Sequence, residues 1–366
     1  MNRRKLLGLA AASGAAAALG PLRATAAPPG ALWIDGCGEA FDLDDGKIPV
    51  PEKIMAILAA SKLAGINFTI VGPGADFEKT VRAIAAVYRA VETSPGRILF
   101  VRRPEDLERA AGEGRLGVIM GFQTTGMLGE DLGRIDVFAR LGVRIMQLTY
   151  NDRSLYGDGC LEPADAGLSR LGRQAIERMN ALGVAVDVSH SGDRTTREAI
   201  EASKKPILIS HTGCRAVFPH PRNKEDAALK ALADRGGVAG IYLMPFLSAG
   251  PGPITPDDLA RHVQHAIRVC GEDHVGIGTD QGIEPVVDTP EYRKSLAEEV
   301  EARRRAGVSA PGESADRPPF IPEFNREARF SLLAADFARR GMPSSIIDKV
   351  LGRNFERALK EIWRQT

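Results

Sequence analysis

Two histidines that each end a short apolar run are the residues of this sequence best suited to holding a metal ion. His190 follows residues 184–189 and His211 follows residues 206–210, with one helix's length of chain between them. Imidazole nitrogen is a common zinc ligand, and strand ends on one rim of a parallel barrel converge, so the pair could share one ion. The alternative is two unrelated histidines, each hydrogen-bonded to backbone at a strand end. The residues at the other strand ends distinguish the two interpretations.

Polar side chains also follow the other apolar runs of the chain. All of them can coordinate a metal or exchange a hydrogen bond, and each unpaired polar group costs about 1–3 kcal/mol when buried. So many polar endings on buried strands favour a functional cleft over packing. The residues are Cys37, Glu39, Gln123, Tyr150 and Asp280.

The elements that would position these residues alternate between strand and helix along the chain. Helical segments separate the apolar runs, as in 172–182, which ends at Gly183. This alternation predicts an α/β fold, a (β/α)8 TIM-type barrel, with 98–101 as an additional strand. A doubly wound sheet would need a glycine-rich loop after the first strand, and residues 35–39 lack its third glycine. The predicted strands are 31–35, 66–71, 98–101, 116–121, 143–149, 184–189, 206–210, 238–243 and 274–279.

The amino terminus has the pattern of an export signal. Arg3 and Arg4 precede an apolar run of small residues at 8–20, and an A-x-A cleavage pattern ends at Ala26. We therefore expect residues 1–27 to be a twin-arginine-like signal and the protein to be periplasmic, with a Sec signal as the alternative. The run is too short and too rich in alanine and glycine for a membrane span, so the protein is not expected to span a membrane.

Composition limits the remaining chain, 28–366, which is expected to form a single barrel. The whole sequence has 48 basic and 47 acidic residues among 366, without the basic excess of a nucleic-acid partner. A charged, proline-rich insertion at about 288–322 would lie at the active-site rim, as a lid, as a contact in a possible homodimer, or as a solvated loop. Within it, Arg303–Arg305 is interpreted as a solvated face. The cysteines Cys37, Cys160, Cys214 and Cys270 allow disulfides, for example between Cys160 and Cys214, or free thiols.

A series of motifs in this sequence resembles the membrane dipeptidase (renal dipeptidase) family of the amidohydrolase superfamily. The similarity runs from about residue 34 to 282 and resumes at 352–355. The resemblance implies a (β/α)8 barrel with a zinc centre that hydrolyses dipeptides, including some with a D-residue at the carboxyl side. The motifs are 148–151, 167–169, 179–183, 187–190, 210–212, 220–223, 236–238 and 274–280.

Four positions match functional residues of that family. The resemblance implies that His190 and His211 hold one zinc and that Arg222 binds the terminal carboxylate of the substrate. A guanidinium suits that task because its fork matches a carboxylate. Asp280 matches the aspartate that meets the bridging water and the substrate's amino group, which makes it a candidate catalytic and substrate-binding residue.

Other positions depart from the family pattern. Cys37 and Glu39 occupy the positions of a His-x-Asp ligand pair, and Gln123 replaces a glutamate that bridges both metals. A neutral amide is a weak ligand, so Gln123 argues against a binuclear centre, and the three residues are only tentative ligands. Tyr150 replaces a histidine that polarises the scissile carbonyl; as a catalytic and substrate-binding residue it could donate a hydrogen bond to an oxyanion. We expect about one zinc ion per chain.

These observations predict a periplasmic, metal-dependent, dipeptidase-like hydrolase that cleaves a dipeptide or related small amide. Its partner would be a small peptide-like substrate. An alternative is a catalytically altered or inactive homologue that binds a peptide-like metabolite or assists its maturation. This alternative is motivated by the joint replacement of metal-site residues while Arg222 is kept.

Overall fold

The structure is a computed structural model that describes residues 22–24, 31–44, 46–250 and 252–364. Apart from residues 22–24, the predicted export signal lies outside the described residues. Within the described ranges, no helix is both long enough and apolar enough to cross a membrane.

A parallel sheet curls into the predicted (β/α)8 barrel. The strands pair in the order β10-β1-β2-β4-β5-β6-β7-β8-β9, and β3 pairs only with β4. The sequence prediction of a barrel with an additional strand near residue 98 is therefore confirmed. The strands are β1 Ile34–Glu39, β2 Gly65–Val71, β3 Ile98–Phe100, β4 Leu116–Phe122, β5 Val143–Gln147, β6 Ala185–Asp187, β7 Leu208–Thr212, β8 Val238–Ile241, β9 Val275–Ile277 and β10 Gln281–Gly282.

The barrel closes where the chain leaves β9 and meets β1. Gly38 pairs with Gln281 of β10, and the Asp280 N–H donates to the Cys37 carbonyl at 2.8 Å. The closing seam therefore places the candidate residues Cys37 and Asp280 on neighbouring segments.

The predicted bounds of the first strand were wrong. Residues 31–35 were expected to form it, whereas β1 runs from Ile34 to Glu39 and contains Cys37. The glycines of this stretch are needed inside the strand because neighbours approach closely. A Cβ on Gly36 would lie 2.4 Å from the Phe355 ring, and one on Gly38 would lie 2.7 Å from the Gln281 carbonyl oxygen. His211 likewise lies inside β7 and not beyond it.

Helices between the strands cover the outside of the barrel. The predicted helix after β5 is confirmed: Ser169 accepts a hydrogen bond from the Gly172 N–H at its start, and Gly183 ends it with φ 65°. The helices are α1 Glu52–Ser61, α2 Phe77–Glu92, α3 Pro104–Glu113, α4 Gly133–Arg140, α5 Arg170–Leu182, α6 Asp193–Ala202, α7 Asp226–Asp234, α8 Pro256–Cys270, α9 Pro290–Arg305, α10 Arg329–Arg339, α11 Ser344–Asp348 and α12 Asn354–Trp363.

The last helix, α12, packs under the barrel. Phe355, Leu359 and Ile362 join a buried cluster with Ile34 of β1 and Val238 of β8. These strand residues lie toward the amino ends of their strands, so α12 fills that end of the barrel. The opposite rim, where the strands end, is left for the candidate site.

Candidate metal centre and ligand cavity

A buried carboxylate joins the two strands that carry the histidines. Asp187, the last residue of β6, accepts hydrogen bonds from the backbone N–H groups of Ser189 and Ser210 at 3.0 and 3.1 Å. It also accepts the hydroxyl protons of both serines. These contacts fix the backbone immediately before His190 and His211.

The two candidate zinc ligands face each other. The Nε2 atoms of His190 and His211 are 2.9 Å apart, and both residues are buried. Burial lowers the pKa of His190 well below its usual range, with Arg222 and His211 acting in the same direction. Burial is also the main cause that lowers the pKa of His211. Both imidazoles are therefore neutral.

Hydrogen bonds at the far side of each ring determine which nitrogen carries the proton. His190 Nδ1 lies 2.6 Å from the Asn151 Oδ1, and the Asn151 amide is oriented because its Nδ2 donates to the Val308 carbonyl at 2.7 Å. The Nδ1 of His190 must therefore donate, which leaves a lone pair on Nε2.

The same reasoning applies to His211. Its Nδ1 lies 2.9 Å from the Ser210 Oγ, whose own proton goes to Asp187. The Nδ1 therefore donates, and the Nε2 lone pair of His211 points toward that of His190. Two lone pairs at this distance repel each other, so the arrangement calls for a cation between or beside them.

A second group of possible ligands overlaps with the first. Cys37, His211 and Asp280 each offer a ligand atom, and these atoms all lie within 4.8 Å of one another. Burial raises the pKa of the Cys37 thiol well above its usual range, and the charge of Asp280 adds to this. All four cysteines of the chain are free, so Cys37 is available as a ligand.

The other tentative ligands are placed differently. The Gln123 Nε2 donates to the Cys37 Sγ at 3.2 Å and to the Thr69 Oγ1 at 3.0 Å. Its amide nitrogen, which is not a metal ligand, therefore faces the centre. The Glu39 side chain is accessible from the cavity; partial burial raises the pKa of its carboxyl, with Asp280 and Glu299 adding to the shift. It does not join the close group formed by Cys37, His211 and Asp280.

The residues present fit one metal ion better than a bridged pair. In a tetrahedral zinc site, two nitrogen ligands lie about 3.3 Å apart, and a sulfur and an oxygen about 3.5 Å apart. The observed separations are 2.9 Å between the histidine nitrogens and 4.0 Å between Cys37 Sγ and Asp280 Oδ1. Each of these two separations differs by about half an ångström from its tetrahedral value. A bridged pair of ions would need a carboxylate at position 123, where this chain has glutamine.

Arg222 supplies a buried positive charge to the cavity, which Arg303 and Arg317 also line. Its side chain is buried and stacks over the Tyr242 ring, with 5.8 Å from Cζ to the ring centroid. The Nη1 donates to the Ser189 carbonyl at 2.6 Å. The Nη2 has no hydrogen-bond partner among the described residues. A buried cation with an unused donor is arranged to receive an anion.

Tyr150 connects the metal centre with the charged insertion. Its ring stacks on that of His190 with centroids 4.2 Å apart, and its hydroxyl oxygen accepts from the Arg303 Nη1 at 2.9 Å. Burial raises the pKa of the Tyr150 hydroxyl, opposed by Arg303. The hydroxyl therefore keeps its proton and can donate it in a hydrogen bond.

The insertion contributes directly to the cavity, contrary to the solvated face expected at Arg303. Arg303 forms a double ion pair with Glu313, at 3.0 and 2.9 Å, and both side chains are largely covered. Two backbone carbonyls of the insertion bind residues of the barrel rim: Val308 accepts from Asn151, and Pro311 lies 2.7 Å from the His220 Nε2.

Several of these groups line one cavity of about 360 Å³. This volume is large enough for a dipeptide-sized ligand. A neighbouring pocket of about 550 Å³ has apolar walls that include Phe41, Val50 and Phe68, and it shares Glu39 and Thr69 with the first. The candidate residues that line the first cavity are Glu39, Gln123, Tyr150, His190, Arg222 and Asp280.

Sequence reasoning missed several residues that position the site. Asp187 and Asp35 are acidic residues inside apolar runs, and this pattern is the sequence signal for a buried structural carboxylate. Asp35 is fully buried; it accepts from the Cys37 N–H at 3.2 Å and from the Thr279 N–H at 2.8 Å. Burial raises the pKa of Asp35 to about 6. Asn151 belongs to the motif 148–151, but its role is visible only in its contact with His190.

Fold and site together define a (β/α)8 barrel with a buried ligand set suited to a metal ion and an adjoining buried arginine with an unused donor. A family model for membrane dipeptidases (peptidase family M19) matches residues 59–310. The chain belongs to the membrane dipeptidase family, a family of metallopeptidases.

Known proteins agree with this assignment. The chain is 26% identical over 292 residues to dipeptidase tcpJ of Claviceps purpurea, covering 79% of this chain and 61% of that protein. The chain spans about half to three fifths of the length of the first curated relatives it matches.

Solved structures show the same architecture. An amidohydrolase from Pseudomonas aeruginosa is 30% identical with a TM-score of 0.78, over 91% of this chain and 97% of that one. A metallopeptidase from Rhodobacter sphaeroides, bound to a phosphinate mimic of L-Ala-D-Ala, shares the fold at 18% identity with a TM-score of 0.73. The alignment covers 91% of this chain and 99% of that one.

Proposed function

We propose that this protein is a metal-dependent, dipeptidase-like hydrolase that cleaves a dipeptide or a related small amide. The observation that carries the proposal is the pair of neutral histidines whose Nε2 lone pairs converge, with His190 of this pair lining the same cavity as Arg222. A ligand set for a cation and an unused guanidinium donor suit a substrate with an amide and a carboxylate. The similar protein from Claviceps purpurea is a dipeptidase, which supports the same substrate class.

The ion would be held by His190 and His211, with Asp280 as the nearest carboxylate. When bound, zinc supplies a positive charge that polarises an amide carbonyl and makes water more acidic.

The surrounding side chains have separate tasks in the proposed reaction. The Arg222 Nη2 binds the terminal carboxylate of the substrate, and the Tyr150 hydroxyl donates to the carbonyl oxygen as negative charge develops there. Because Asp280 lies close enough to His211 to share an ion with it, the role of general base falls to Glu39, the other carboxylate at a strand end in this cavity. It takes a proton from the attacking water and returns it to the leaving amine as the C–N bond breaks.

The neighbouring pocket suggests which substrates are preferred. Phe41, Val50 and Phe68 give it apolar walls, and it adjoins the reaction cavity at Glu39 and Thr69. A substrate whose carboxylate lies on Arg222 could place a large apolar group in this pocket. Dipeptides with a bulky apolar residue are therefore the expected substrates.

The test is a panel of L,L- and L,D-dipeptides incubated with the zinc-loaded protein, with amino-acid release as the readout. Turnover should disappear with a chelator and in His190→Ala. It should persist in His265→Gln, which changes a histidine of α8 that pairs with Asp226 outside the cavity. Turnover that survives both chelation and His190→Ala would refute the proposal.

A second candidate function is favoured by the contact between Gln123 and Cys37. This contact occupies the place where a bridging carboxylate would hold a second ion. A protein that binds a peptide-like metabolite, or assists its maturation, without hydrolysis would show saturable dipeptide binding and no product with any member of the panel. Hydrolysis that depends on His190 would exclude it.

We also propose that the protein is exported to the periplasm through its twin-arginine-like signal. Support comes from the residue pattern of the amino terminus alone. Fractionation of cells that express the full chain should recover the mature protein in the periplasm. The double variant Arg3→Lys, Arg4→Lys should accumulate unprocessed in the cytoplasm. Unchanged export of this variant would indicate a different route.

A further inference from the structure

Cys37 lies where its sulfur can share an ion with two other ligands. One ligand atom each from Cys37, His211 and Asp280 falls within a mutual distance of 4.8 Å, and the Sγ is 4.0 Å from the Asp280 Oδ1. Cys37 and His211 are buried, while Asp280 is partly accessible from the cavity. A sulfur, a nitrogen and an oxygen at these distances form a donor set that zinc and cobalt both accept.

The backbone holds this group in place. The Asp280 N–H donates to the Cys37 carbonyl at 2.8 Å across the closing seam of the barrel. Asp280 has a φ of 56°, a left-handed conformation that aspartate adopts more readily than most residues with a side chain. Asp35 adds a fixed anchor, since its carboxylate accepts the Cys37 N–H.

Gln123 is turned so that it supports the sulfur. Its Nε2 donates to the Cys37 Sγ at 3.2 Å and to the Thr69 Oγ1 at 3.0 Å, which uses both amide protons. N–H donors to a ligand sulfur stabilise its negative charge. Gln123 cannot bridge two ions, but its amide N–H would stabilise a Cys37 thiolate beside a single ion.

We propose that the Cys37 thiolate and Asp280 join His211 and His190 as ligands of a single transition-metal ion in a mixed site. Formation of the sulfur–metal bond releases the thiol proton to solvent. The inference shares its metal with the proposed hydrolase function. It concerns the ligand sulfur, however, and a spectroscopic test separates its failure from a failure of catalysis.

The test uses the full mature chain, stripped with a chelator and reloaded with Co²⁺. A thiolate ligand gives an intense sulfur-to-cobalt charge-transfer band in the near ultraviolet, beside the weaker visible bands of the bound ion. We expect this band in the wild-type protein and its loss, with the visible bands retained, in Cys37→Ser. Visible bands without the charge-transfer band in the wild type, or no cobalt binding, would overturn the proposal.

Matched variants assign the sulfur. With Cys160, Cys214 and Cys270 all replaced by serine, Cys37 is the last thiol of the chain, and the band must remain. A band that disappears in this variant, or that survives Cys37→Ser, would also contradict the assignment. If Cys37→Ser does not fold, this triple variant and the wild type decide the question without it.

Affinity gives a second readout that needs no catalysis. Loss of a partner that only orients a ligand costs roughly 10- to 100-fold in metal affinity, so loss of a ligand should cost at least about 100-fold. Competition with a chromophoric chelator should show this loss for zinc in Cys37→Ser. An unchanged zinc affinity in a folded Cys37→Ser variant would refute the role of Cys37.

Discussion

Replacement of Arg222 by methionine should remove the recognition of a substrate carboxylate. Arg222 is 1% exposed; its Nη1 is occupied by the Ser189 carbonyl, whereas its Nη2 has no partner among the described residues. Methionine fills a similar volume and removes the guanidinium with the unused donor, while Arg303 keeps its ion pair with Glu313. The change therefore separates charge recognition from the shape of the cavity.

The magnitude follows from the burial of this guanidinium. A hydrogen bond to a charged group contributes about 1.5–3 kcal/mol, and a buried charge pair that loses one partner costs about 2–5 kcal/mol. We expect the wild type to bind a dipeptide more tightly than its carboxamide by about 3 kcal/mol, or roughly 150-fold. Arg222→Met should bind both forms almost equally.

The assay is calorimetric titration of a dipeptide and its amide in the presence of a chelator, which prevents turnover. Arg215→Met serves as the matched control, because Arg215 pairs with Asp193 and Glu225. This control should keep the wild-type preference for the carboxylate. A folded Arg222→Met variant that still prefers the carboxylate by roughly 100-fold would refute the assigned role of Arg222.

Three further perturbations follow from the structure. Arg303→Met removes the donor to the Tyr150 hydroxyl, so kcat/KM for dipeptides should fall about tenfold. Arg304 is more exposed, and Arg304→Met should match the wild type in the same assay. Asn151→Ala frees His190 Nδ1 and should weaken zinc binding by roughly 10- to 100-fold, measured by chelator competition. Burial lowers the pKa of His262 from 6.5 to about 4. The contribution of this neutral imidazole to stability is therefore fully present above pH 6.5, and the free energy of unfolding falls by about 3 kcal/mol as the pH drops to 4. Urea unfolding at each pH should show a flatter profile in His262→Gln; an identical profile would contradict the neutral buried histidine.

The barrel could be predicted because buried parallel strands are apolar runs that alternate with amphipathic helices. The first strand was misplaced because Gly36 and Gly38 look like loop residues in the sequence. Both are required inside β1 by close contacts with the Phe355 ring and the Gln281 carbonyl, and these partners are distant in sequence. Local patterns carry no information about such contacts.

The candidate site was only partly visible for the same reason. Motif similarity identified His190 and Arg222, which line one cavity, and His211, whose Nε2 lies 2.9 Å from that of His190. The hydrogen bonds that set the histidine protons depend on Asp187 and Asn151, whose partners lie on other elements. The contact of Arg303 with Tyr150 spans 153 residues of sequence, and a run of arginines alone indicates only a charged helix face.

The metal content of the purified mature protein, after zinc loading and removal of free zinc, decides whether the site holds a single ion. Native mass spectrometry with elemental analysis should find one zinc ion per chain in the wild type. It should find close to none in a folded His211→Gln variant, because His211 belongs to both ligand groups. Two tightly bound ions per wild-type chain, or one ion retained without His211, would contradict a single-ion centre built on this histidine.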